Sequence, residues 1–131
     1  MNFGDVQDEL GTRLDITGLR VSLFEPASIT GPTAIFAYPN SITFDETTDG
    51  QHRLSLRLVV AVPNPTTKQA RDSLAGYCAA TGVTSVKAAL EDSGDGTAFD
   101  TVRVSEVVFD GIELGATPYA AAIMTIDVTG A

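Results

Sequence analysis

The chain has 131 residues, of which 44% are hydrophobic and 19% charged, with no tryptophan. Those proportions suit one globular domain with its own core and exclude a disordered chain. Seventeen acidic against eight basic residues leave a net charge of −9 and a pI near 4.3, which argues against stable nucleic-acid binding by the isolated chain.

The elements follow in chain order. Phe3, Val6, Leu10 and Leu14 recur every three or four residues and predict a helix from about Asn2 to Asp15. Asn2 can cap it, and Asp5, Asp8 and Glu9 suit the positive end of its dipole. Gly11 should weaken it by about 1 kcal/mol relative to alanine. A strand is expected over Arg20 to Phe24, then a two-proline loop from Glu25 to Pro32. A short strand covers Thr33 to Tyr38, where Pro39 interrupts it, and an extended piece covers Ser41 to Phe44.

The polar run Asp45 to His52 contains an Asp-Gly pair and predicts a hairpin. It leads into a strand with Leu54, Leu56, Leu58, Val60 and Val62 on one face. Ser55 and Arg57 take the other face, but so do Val59 and Ala61, so this strand should start half exposed and end buried on both sides. It is the expected central strand. Asn64-Pro65 reads as the cap and first position of a second helix that runs to about Ala80, with Ala70, Leu74, Tyr77 and Cys78 inward and Thr81-Gly82 as its stop. A third helix is expected from Ser85 to Glu91, capped by Thr84 or Ser85.

After the turn-rich Asp92 to Gly96, a strand is expected over Thr101 to Phe109, and Glu106 breaks its alternation as a bulge would. Asp110-Gly111 reads as the start of the next turn, and Tyr119 to Thr129 as the last strand. The order of elements predicts an α+β fold: one domain over residues 1–131, a mostly antiparallel β-sheet packed with helices.

Little here supports catalysis. His52 is the one histidine, in a polar loop, and Cys78 the one cysteine, so nucleophile–base pairings and zinc clusters lack members and no disulfide can form within the chain. Cys78 is expected as a small core hydrophobe. Asp92, Asp95 and Asp100 lack calcium-loop spacing, and Gly94-Asp95-Gly96-Thr97 lacks the lysine of a phosphate loop. Glu106, the acid inside a strand, reads as a bulge or interface residue. No catalytic, cofactor or metal site is expected. The start Met1-Asn2-Phe3-Gly4-Asp5 does not read as a signal peptide, and no apolar run approaches the ~20 residues of a membrane span, so a cytosolic protein is expected.

Val59/Ala61 and Ala121/Ile123 leave apolar side chains on a second sheet face. Either helix one covers one face and the other helices the second, or a partner covers what remains.

At this point the chain resembles the tail terminator proteins of long-tailed bacteriophages (siphophages), especially those of actinobacterial hosts. The likeness lies in Phe3 to Leu10, Gly18 to Val21, Pro26 to Pro32, Tyr38 to Asp45, Ser85 to Leu90, Ala98 to Val104 and the final Tyr119 to Val128 strand. The resemblance implies a non-enzymatic virion protein assembled in the host bacterial cytoplasm. It implies a closed ring, commonly of six copies, at the head-proximal end of the tail. Such a ring ends tube polymerisation and joins the tail tube protein to the head-side connector or stopper protein, while DNA passes through without specific binding. The hairpin is expected to project and touch the tube or a neighbouring copy through Asp45, Glu46, Asp49, Gln51, His52 and Arg53. Alternatives are another head–tail joining protein (a stopper or head completion protein), a tail tube subunit, or a small ligand-binding or hydrolytic domain.

Overall fold

The strand through Leu54 sets the architecture, because its every second side chain is fully buried from Leu54 to Val60. Each such side chain contributes about 1.5–3 kcal/mol before its loss of freedom is counted. The computed structural model describes residues 1–37, 41–44, 50–92 and 98–130. In chain order the elements are α1 (Phe3–Arg13), β1 (Arg20–Ser22), β2 (Thr33–Phe36), β3 (Ser41–Thr43), β4 (His52–Val62), α2 (Lys68–Tyr77), α3 (Val86–Glu91), β5 (Thr101–Leu114) and β6 (Thr117–Gly130). The fold is α+β, with a mostly antiparallel six-stranded sheet in the order β1-β2-β4-β6-β5. β3 also pairs antiparallel with β4, Thr43 opposite Arg53. The strand expected to be central is central.

All three helices pack on one face of the sheet. Val6 and Leu10 of α1, Ala70, Leu74 and Tyr77 of α2, and Val86 and Leu90 of α3 share one core with the even-numbered side chains of β4 and β6. Of the two arrangements open to the sequence, helices on both faces is not the one adopted. Arg13 ties α1 to its neighbours: its guanidinium donates to the Leu90 carbonyl at 2.7 Å and lies 4.9 Å from the centre of the Phe99 ring. A Cβ at Gly11 would stand 3.4 Å from Leu23 and 3.5 Å from Val21, ordinary van der Waals contact, so packing does not demand glycine there.

Several local expectations hold. Asn2 caps α1 by accepting from the Gly4 and Asp5 amides, and Ser85 caps α3. The register of β5 slips between Val104 and Glu106, which is the bulge that the broken alternation required. Others need correction. Asn64 does not cap α2. Its φ of +58° is left-handed, whereas Thr67 has the extended backbone and accepts from the Ala70 amide. α2 also ends earlier than Ala80, at Cys78. β1 and β2 are parallel, since the long two-proline loop carries the chain back to start β2 beside the start of β1. Asp110-Gly111 is no turn. β5 runs on to Leu114, and the reversal falls at Gly115-Ala116, with φ of +57° and +68°.

Candidate functional site

The face of the sheet away from the helices has its own chemistry. Register decides which residues share it. On β4 they are Arg53, Ser55, Arg57, Val59 and Ala61, opposite Thr129, Asp127, Thr125, Ile123 and Ala121 of β6. β5 adds Arg103 opposite Asp127, Glu106 opposite Thr125 and Val108 opposite Ile123. The bulge matters here. In an unbroken strand Arg103 and Glu106 would point to opposite faces; the extra residue, Ser105, puts both on this one. A bond between the Thr101 and Thr129 hydroxyls closes the outer end of the ladder.

The face divides along its length. Towards Val62 it is apolar, and a small second core forms from Ile35, Ala61, Leu114 and Tyr119 with Ile29 packed against it. The far end of the β5–β6 hairpin covers this part by reaching back to the loop between β1 and β2. The Tyr119 hydroxyl accepts from the Ile29 amide at 3.3 Å, and a Cβ on Gly115 would come 2.9 Å from the Ala27 carbonyl oxygen. Towards His52 the face is polar and open, with Arg53, Arg57 and Arg103 all exposed.

Between the two lies a groove of about 540 Å³. Ile35 and Val59 lie on the open face, flanked by Ile112 and Leu114 of the hairpin and by Leu23 and Phe24 beyond β1. Its polar side chains are Gln7, whose amide donates to the Ala37 carbonyl at 3.1 Å, and Glu25. Phe24 is 81% exposed, far beyond what a core residue tolerates, and Val108 and Phe109 are 48% and 63% exposed on the edge strand β5.

Of the residues expected to form a projecting contact, Asp45, Glu46 and Asp49 lie outside the described residues. Gln51, His52 and Arg53 are joined to the body of the domain. The Gln51 amide donates to the Asp100 carboxylate at 2.9 Å, the His52 ring meets Phe44 edge-on at 5.2 Å, and Arg53 sits in the β4 ladder. Burial pushes the Cys78 thiol up to about 11, so it carries almost no thiolate at neutral pH. Among the described residues no group of three or more His, Cys, Asp or Glu could hold a metal ion, and no helix is long and apolar enough to cross a membrane.

The groove and the arginine-bearing face were not singled out by sequence. A faint signal existed: Arg57 and Val59 occupy the same alternation phase of one strand. Which residues of β5 and β6 join them depends on long-range register. No protein-family model matches the chain, and no curated protein sequence matches it.

Proposed function

We propose that this chain is a non-enzymatic structural subunit of a virus particle, a tail terminator that closes into a ring at the head-proximal end of a long phage tail. The resemblance across most of the sequence supplies the identity of the role. The observation that carries self-association is the second sheet face: among the described residues the single layer of helices leaves Val59 and Ile123 half-buried and Val108 exposed there, with Phe24 exposed beyond β1. A head-to-tail contact that closes buries such surface in every copy. In this reading the ring meets the tail tube protein on one side and the head-side connector or stopper on the other. The net charge of −9 favours free passage of DNA through the ring without specific binding.

The test is the mass of the purified chain by light scattering across concentration. The reading expects one species near six times the 13.7 kDa chain mass. A monomer at every concentration would overturn it.

The groove favours one other reading, a small ligand-binding domain, because its volume and apolar walls suit a drug-sized apolar molecule. Retention of an apolar dye by the chain at micromolar concentration, lost on Val59→Glu, would favour that reading over the ring. A stopper or a tube subunit differs from a terminator in its partners, so tail length after loss of the gene separates them.

A further inference from the structure

Charge is distributed unevenly between the two sides of this domain. The chain has eight Lys and Arg. Arg53, Arg57 and Arg103 project from the open end of the sheet face that the helices leave uncovered, as their cross-strand partners Thr129, Thr125 and Asp127 establish, while Arg20 lies at the other end and donates to the Thr30 hydroxyl. Lys68 and Arg71 lie on α2 beside Asp72, Lys87 on α3 contacts Glu91, and Arg13 at the end of α1 is turned to the Leu90 carbonyl.

The opposite side is acidic. Val6 and Leu10 turn one stripe of α1 into the core, and the helical period then turns Asp5, Asp8 and Thr12 outward. Asp5, Asp8, Glu9 and Thr12 line a shallow depression of about 370 Å³. The Glu9 carboxylate accepts from the Ala98 amide at its rim, leaving Asp5 and Asp8 as the outward charges.

From this arrangement we infer that the arginine-bearing sheet face of one copy docks on the acidic outer surface of α1 of a second copy. This rests on the ring-forming reading and names its interface. Two arguments select the occupant. First, the charges are complementary within one sequence, and the two surfaces lie on opposite sides of a two-layer domain. A contact between them is head-to-tail, the kind that can close into a ring. Second, the arginine face is mixed. Asp127 and Glu106 lie among the arginines, which weakens any hold on a polyphosphate, while Val59 and Ile123 next to them offer apolar area that a protein surface can bury. Four strands ~4.8 Å apart over seven residues of β4 project to roughly 450 Å². The long arginine side chains raise the accessible area towards the ~800 Å² that a standard interface takes from each partner.

The experiment uses two doubly charge-reversed full-length chains, Arg53→Glu/Arg57→Glu and Asp5→Lys/Asp8→Lys. All four positions are solvent-exposed, and circular dichroism checks that each variant folds. Each variant alone should assemble only at concentrations about 100-fold above the wild type, because reversal sets like charges against each other. Mixed one to one, the variants should assemble near the wild-type concentration with the two chains alternating, because each sheet face then meets an α1 of opposite charge. The wild-type assembly should also dissociate as salt rises from 50 mM to 1 M, a readout that needs no variant. A wild-type chain that is monomeric at low salt would overturn the ring reading and this interface together. A wild-type ring that ignores both salt and charge reversal would overturn the interface alone. An Arg53→Glu/Arg57→Glu variant that assembles normally but loses a low-salt gel shift of a 30-base-pair duplex would assign the arginine face to nucleic acid instead.

Discussion

Replacing Ser85 by alanine should destabilise the domain far more than its size suggests. Ser85 is 1% exposed, and its hydroxyl is used twice. It accepts from the Ala88 amide at 3.1 Å, capping α3, and donates to the Ala79 carbonyl, fastening the segment that follows α2. Losing the cap costs about 1 kcal/mol. The bond to the Ala79 carbonyl is part-buried and Ala79 itself is exposed, so water replaces the hydroxyl in part and its loss adds about 0.5–1.5 kcal/mol. The sum, about 1.5–2.5 kcal/mol, is a sizeable part of the stability of a domain of this size. Thr67 provides the control. It caps α2 with the same kind of bond, at 3.1 Å to the Ala70 amide, but it is exposed. Thr67→Ala should cost about 1 kcal/mol or less. Urea unfolding of both variants, with unchanged slope and shifted midpoint, measures the difference. Equal losses at the two sites would refute the claim that burial, not capping alone, sets the cost at Ser85.

Other outcomes follow from single positions. Gly115→Ala should destabilise by at least about 1–2 kcal/mol, since φ is +57° and the new Cβ would press on the Ala27 carbonyl. Ala116→Gly, next to it at φ +68°, should be neutral or stabilising by up to about 1 kcal/mol in the same urea assay. Tyr119→Phe should cost about 1 kcal/mol and raise amide hydrogen exchange at Ile29, whose N–H it leaves without the phenol. Cys78, with its thiol pushed up to about 11, should react with iodoacetamide at pH 8 about 100-fold more slowly than an ordinary thiol of pKa near 9, and unfolding in urea should restore the rate.

The parts of this fold that were legible in the sequence are those fixed by near neighbours. The alternation from Leu54 to Val62 identified the central strand, because a period of two with large apolar side chains has one compatible placement. Asn2 and Ser85 were readable as caps, and the slip near Glu106 was readable as a phase error. What failed shows where local chemistry misleads. Asp110-Gly111 carries better turn residues than Gly115-Ala116, yet pairing with β6 continues through it to Leu114. Asn64 is a good capping residue by type, but its backbone is left-handed, and the cap passes to Thr67. The parallel pairing of β1 with β2, and the packing of every helix on one face, are choices between distant partners that periodicity leaves open.

The candidate site was legible only in fragments. The apolar phase of Val59 and Ala61 pointed to a second face that needs cover. It did not show that the end of the β5–β6 hairpin covers half of that face, nor that Arg103 joins Arg53 and Arg57 on the rest. Those facts depend on one bulge and on a turn five residues later than the sequence suggests.

The central claim is that this chain ends a tail tube. Negative-stain images of a siphophage tail tube protein, polymerised with and without the purified chain, test that proposal most directly. The account predicts shorter tubes with a ring seated on one end. Tubes of unchanged length with bare ends, or with the chain incorporated along their walls, would contradict it.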